Sequence, residues 1–188
     1  MNGNSRKIVR DVLVFASVLV LAIALFRFGY REYWRSSYPI AYEEQVNTYA
    51  ERFSLPPSLI FGVIHTESRF NPEAQSRVGA KGLMQLMDVT FEWTLSKLGE
   101  EEGDVFDPDT NIRCGTKLLS YLCDEFEVTE TALAAYNAGI GNVRNWLKDT
   151  RYSSDGKTLH TIPFSETAAY VKRVMTAQQR YQTLYEIS

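Results

Sequence analysis

Glu67 stands where a carboxylate is unusual. It lies near the end of SLIFGVIHTES (58–68), where Leu59, Val63 and Glu67 recur at i, i+4 and i+8. On a helix the acid therefore continues an aliphatic stripe. A carboxyl taken out of water keeps its proton to higher pH, and a general acid working near neutrality needs a pKa of roughly 6 to 7. The plainer reading is a solvated carboxylate in a last turn, because helix registers slip by a residue or two at their ends. Two further pairs invite chemistry. Tyr136 and Asn137 precede Gly139 and Gly141 at a helix end, offering directional hydrogen bonds, a ring face and a backbone that a bound chain can approach. The same features describe a helix C-terminus with a buried tyrosine. Glu166 and Tyr170 stand at i and i+4 on one face of a helix entered through Pro163 and Ser165, where a first-turn acid also suits the helix dipole.

The elements that must position these groups are mostly helical. Pro56 and Pro57 suit a first turn, with Ser54 or Ser58 as its cap. Asn71 and Pro72 stop that helix, and Gly79 and Gly82 loosen the backbone before Leu83. Glu67 is thus expected at a helix end facing a glycine-bearing loop. Helices are also expected over 42–53, from Asp88 as cap through Phe91, Trp93 and Leu98, and after the Asp107–Pro108 turn, where Ile112, Gly115, Leu118, Leu119 and Leu122 keep helical spacing. Others run from Thr129 to a halt at Gly139, from near Val143, and from Ser165 to about Tyr185. The expectation is a mainly α domain of six or seven helices. Any small β element falls between Gln75 and Leu83 or between Tyr152 and Ile162.

The text ESRFNPEAQSRVGAKGLMQLM (67–87) resembles the signature of the soluble lytic transglycosylases of bacterial cell walls. Glu67, Ser68, Asn71, Pro72, Gly79, Ala80, Gly82, Leu83, Met84 and Gln85 match it in order and spacing. AYNAG (135–139) is similar to a second signature of that family, and IPFSETAAYVKRV (162–174) to a third region. DPDTNIRCG (107–115) resembles a segment that brings a structural helix against the catalytic one. The resemblance covers roughly Tyr42 to Tyr185 and implies a lysozyme-like fold. It implies that Glu67 is the catalytic acid and that Ser68 hydrogen-bonds near it. Ser76, Gln85 and Met87 would line the groove around the scissile bond. Tyr136 would point its hydroxyl toward the acid, Asn137 would shape the groove, and Glu166 and Tyr170 would border the substrate. The implied reaction cleaves the β-1,4 bond between N-acetylmuramic acid and N-acetylglucosamine without water, leaving a 1,6-anhydro end. Asp88 departs from the family, which usually has proline there. It is the residue to watch for a goose-lysozyme-like hydrolase, one alternative; a non-catalytic wall-binding scaffold is another.

Val12 to Phe26 is an uncharged run of 15 residues, apolar except for Ser17, shorter than the roughly 20 that a spanning helix prefers. Ile8, Val9, Phe28 and Tyr30 can extend it, with Arg10 and Arg27 snorkelling. Arg6, Lys7 and Arg10 favour a cytoplasmic N-terminus, against Arg27, Arg31 and Arg35 on the far side. The expected organisation is an anchor over 1–30, a linker over 31–41 and a catalytic domain over 42–188, facing outward from a single-pass membrane helix. A cleaved signal peptide is the rival, since Ala22-Ile23-Ala24 has an A-x-A pattern. Beyond residue 35 the chain carries 14 Lys and Arg against 21 Asp and Glu, a net charge of −7. That balance argues against nucleic acid as a partner. Peptidoglycan strands and the membrane are the expected partners, with any wall or secretion-machinery protein left open. Cys114 and Cys123 are nine residues apart on one expected helix, too far for a disulfide. His65 and His160 have no ligand cluster around them in the sequence, and neither a metal nor a cofactor is expected.

Overall fold

The computed structural model describes residues 3–187. The chain forms two compact units, divided between Pro39 and Ile40. The first is one long helix, α1 (Gly3–Ser37). The segment expected to be a polar linker from residue 31 thus continues this helix to Ser37. Along its C-terminal half and just past its end, Phe26, Tyr30, Trp34 and Tyr38 succeed one another at four-residue steps, with ring centroids 6.0 to 6.3 Å apart.

Among the described residues the second unit holds seven helices: α2 (Glu43–Phe53), α3 (Pro57–Glu67), α4 (Asp88–Leu98), α5 (Pro108–Phe126), α6 (Thr129–Ala138), α7 (Ile140–Leu147) and α8 (Ser165–Tyr185). Helix α3 is the buried centre. Every residue from Ser58 to Ile64 is buried, so the aliphatic stripe read from its sequence is one side of a helix enclosed all round. Its most extensive partner is α8. Gly62 permits the approach, because a Cβ there would sit 3.1 Å from the Val174 carbonyl and the Gln178 amide. Phe61 stacks on Tyr181 at 5.3 Å. Helix α5 packs on α2, α4 and α6, and the Tyr49 hydroxyl donates to Asp109 at 2.8 and 2.9 Å. The family resemblance implied that α5 braces the catalytic helix; that place belongs to α8, and α5 braces the loop after α3 instead.

Between α3 and α4 the chain makes no regular strand. Isolated bridges join Gln75 to Lys81 and Lys81 to Leu86, within three residues of the first position expected for a small β element. Four details of the helix ends differ from the sequence reading. Ser54 closes α2 rather than opening α3, with φ of 54° and its N–H on the Ala50 and Glu51 carbonyls. Helix α3 starts behind Pro56 with no side-chain cap. It ends at Glu67, before Asn71 and Pro72, because Arg69 and Phe70 already turn left-handed. Neither Asp88 nor Ser165 caps its helix: Met87 and Phe164 occupy those positions and neither supplies a side-chain hydrogen bond. Cys114 and Cys123 are free thiols on α5.

Candidate active site

Glu67 is the last residue of α3, at the end of the most buried helix in the unit. Burial pushes its carboxyl from the ordinary carboxylate range up to about 7; the Tyr170 hydroxyl and the positive charge of Arg173 pull the other way and are outweighed. A carboxylate at the negative end of a helix dipole is disfavoured in the same sense as burial. Half of such groups are therefore protonated near neutrality, which fits proton donation to a leaving oxygen.

Two phenols stand over this carboxyl. Tyr136, near the end of α6, donates its hydroxyl to the Met84 carbonyl at 2.8 Å. Tyr170, on α8, is 2% exposed, and its buried hydroxyl completes no hydrogen bond of good geometry. Both are held well above the ordinary phenol range, first by burial and then by the negative charge of Glu67. Each remains a neutral O–H at any physiological pH. Tyr170 also feels Tyr136, so the three groups form one cluster, drawn from α3, α6 and α8.

The loop over 68–87 walls this cluster, and its side chains are largely spent on its own shape. The Ser68 hydroxyl turns back to the Ile64 carbonyl at 3.2 Å. Ser76 closes a turn, its hydroxyl accepting from the Ala80 amide at 2.9 Å. Gln85 adopts φ of 51°, and its amide nitrogen donates to the carbonyls of Ala74 and Gly82 at 3.0 and 2.9 Å. Met87 is left exposed at the start of α4. On the far side Asn137 accepts a 2.7 Å hydrogen bond from Thr167, tying α6 to α8. Glu166 is exposed on the first turn of α8, whereas Tyr170, one turn later, is buried beside the acid. Asp88 is gripped by Lys81 at 2.8 and 3.0 Å.

Sequence reasoning missed the residue that holds this wall in place. Asn111 is fully buried on α5; its oxygen accepts from the Met84 amide at 2.8 Å, and its nitrogen donates to the carbonyls of Lys81 and Val105 at 3.2 and 2.7 Å. Gly82 passes so close that a Cβ would run into Asn111 and the Val105 carbonyl, and its φ of +78° is one that side chains rarely adopt. Gly115 likewise leaves room for the Met84 side chain. The signal was present in the spacing Asp107, Asn111 and Gly115, which reads as packing until the partner is seen. Arg173, three residues after Tyr170, also went unmarked. Among the described residues no group of His, Cys, Asp and Glu is arranged to hold a metal.

The transglycosylase SLT domain model matches residues 44–159, more than half of the chain. The chain belongs to the SLT transglycosylase family. It is 36% identical over 151 residues to the soluble lytic murein transglycosylase of Escherichia coli, covering 77% of this chain and 23% of that protein. It is 30% identical to the membrane-bound lytic murein transglycosylase C of Pectobacterium atrosepticum, over 71% of this chain and 44% of the relative. The crystal structure of an inactive mutant of lytic transglycosylase Slt from Pseudomonas aeruginosa superposes with a TM-score of 0.70 at 39% identity, covering 79% of this chain and 25% of that one. The SLT chain described here thus spans about a quarter of the length of the soluble relatives it matches.

Proposed function

We propose that this protein is a peptidoglycan lytic transglycosylase, with 42–188 as its catalytic domain and the first 30 residues as a membrane anchor. The observation that carries this is the carboxyl of Glu67, buried beside two neutral phenols with its pKa near 7. Protonated Glu67 gives its proton to the glycosidic oxygen between N-acetylmuramic acid and N-acetylglucosamine. Charge develops at the anomeric carbon and is met by the substrate's own N-acetyl group. The resulting carboxylate then takes the proton of the muramoyl 6-hydroxyl, which closes the 1,6-anhydro ring. One carboxyl acts twice and no water is consumed.

The phenols suit both halves. Their O–H groups cannot ionise in competition with the acid, and the Tyr170 hydroxyl lowers the energy of the carboxylate once formed. A hydrolase of this fold would need a second carboxylate, about 5 Å away as nucleophile or about 6.5 to 9.5 Å away as base. The groups acting on Glu67 are the neutral Tyr170 hydroxyl and the charge of Arg173, not an acid, and Asp88 is neutralised by Lys81. In the names of the membrane-bound relatives and in the apolar helix of 28 residues from Arg10 to Ser37 we find support for work at the membrane side of the wall. Mass spectrometry of muropeptides released from purified peptidoglycan by the full-length chain in detergent tests the reading. Products lighter by one water are expected from the unmutated protein and none from Glu67→Gln; reducing ends would make it a hydrolase.

A further inference from the structure

Tyr136 and Tyr170 reach Glu67 from two helices that are held differently. Helix α8 lies along α3 as its most extensive partner, with Gly62 against Val174 and Gln178 and with Phe61 on Tyr181. Tyr170 and Glu67 therefore share one frame. Helix α6 packs instead on α5, α7 and α8. Its buried run, Thr131 to Ala135, stops one residue short of Tyr136. The Tyr136 ring rests on Leu86, Phe91, Leu95 and Cys114, which belong to the loop, α4 and α5 rather than to that frame. Beyond it Asn137 is exposed, and the helix breaks at Gly139, whose φ of 88° and ψ of 143° leave the helical region. The last turn of α6 thus carries a phenol of the site at a helix end, and a directional tie joins it to α8.

Thr167 supplies the tie. Its hydroxyl donates to the Asn137 side-chain oxygen at 2.7 Å. Asn137 directly follows Tyr136 on α6, and Thr167 stands three residues before Tyr170 on the same face of α8, so the bond sits beside both phenols. Thr167 is 2% exposed. A valine would fill the same space with no hydroxyl to satisfy, and a helical threonine can bond a carbonyl of its own preceding turn. The hydroxyl here is spent across the helix interface instead. The Tyr136 hydroxyl is held by the Met84 carbonyl at 2.8 Å, and the Met84 amide by Asn111. A chain of contacts thus runs from α8 through Thr167, Asn137, Tyr136 and Met84 to α5. We propose that Thr167 is a positioning residue: through Asn137 it fixes the Tyr136 turn of α6 against α8 and keeps the two phenols closed over the Glu67 carboxyl. Its contribution to catalysis rests on the reading of Glu67 as the glycosidic acid.

The groups that act on that carboxyl are Tyr170 and Arg173 from α8, and it acts in turn on Tyr136 of α6. A change at Thr167 removes none of them, so the titration of Glu67 reads how well the phenols exclude water. In the full-length protein in detergent, the Glu67 carboxyl carbon resonance, assigned by its loss in Glu67→Gln, is followed against pH by NMR. Thr167→Val is expected to lower its midpoint by about one unit as water reaches the carboxyl. It should also lower kcat for release of anhydro ends about tenfold, with KM within about twofold. Thr167→Ser, which keeps the hydroxyl, should return both to the unmutated values. A carboxyl midpoint that stays in place in Thr167→Val, even where the thermal midpoint falls, shows a packing role only and overturns the proposal. So does a Thr167→Ser protein that shifts as far as the valine variant. If Thr167→Val fails to fold, Asn137→Ala removes the acceptor from the exposed side; the carboxyl midpoint should fall alike, and an unmoved one overturns the proposal. Failure of the underlying reading looks different: the unmutated protein would release no anhydro ends, whatever the carboxyl midpoint does.

Discussion

The raised pKa of Glu67 has a cost that can be measured. Its folded value near 7 lies above the ordinary 4.5, so between those two values the folded chain holds a proton that the unfolded chain has released. Stability therefore falls as pH rises from about 4.5 to about 7 and is level beyond. The full shift corresponds to about 3 kcal/mol as an upper figure, since each unit is worth about 1.4 kcal/mol. Glu67→Gln, which never ionises, is expected to raise the thermal midpoint at pH 8 by several degrees over the unmutated protein and to give no gain at pH 4. The same titration shapes activity. In the proposed mechanism only the protonated acid can start the reaction, so kcat/KM should decline above about pH 7, with the inflection moving down if burial of the carboxyl is relieved. A stability gain equal at both pH values would show that Glu67 is not strained by burial.

At the scale of elements the site depends on a loop with little regular structure, held by one side chain from another helix. Asn111 satisfies the Met84 amide and two carbonyls in a buried place. Asn111→Ala leaves these groups unpaired, each worth about 1 to 3 kcal/mol, and is expected to cost about 3 to 5 kcal/mol in denaturant unfolding. Because Met84 also supplies the carbonyl that holds Tyr136, its activity at a temperature where the variant remains folded should fall more than tenfold. A variant that loses stability but keeps kcat would separate the loop's anchoring from the acid's environment. Helices were legible from sequence because apolar spacing, the Pro57 and Pro108 first turns and the Gly139 end are local signals. Glu67 was legible because it breaks an apolar pattern. Asn111 was not, because its three partners lie 6 to 30 residues away in sequence and a buried amide has no local signature. The failed caps have a similar cause: Ser54, Ser58, Asp88 and Ser165 are types that cap helices, but the approaching chain placed Pro56, Met87 and Phe164 at the positions that count.

For the whole molecule, the catalytic unit and α1 impose separate demands that meet in one topology. A helix of 35 residues rises about 52 Å at 1.5 Å per residue, against a hydrocarbon core of about 30 Å. Its surplus lies where Phe26, Tyr30, Trp34 and Tyr38 form a ladder, rings that favour the boundary between lipid and water. Basic residues flank the apolar run on both sides, Arg6, Lys7 and Arg10 before it and Arg27, Arg31 and Arg35 after it. Charge therefore favours neither orientation strongly; the glycan substrate proposed above, lying outside the membrane, is what places residues 40–188 on that side in our proposal. Full-length protein expressed in bacteria is expected to stay with membranes through alkaline carbonate extraction. External protease on spheroplasts should remove the catalytic unit and spare a tag at the N-terminus. A soluble product beginning near Leu25 would mean instead that Ala22-Ile23-Ala24 is cut. In the anchored form we propose, a unit of net negative charge beyond residue 35, with no bulk attraction to an anionic wall, is held beside its strands by the helix instead.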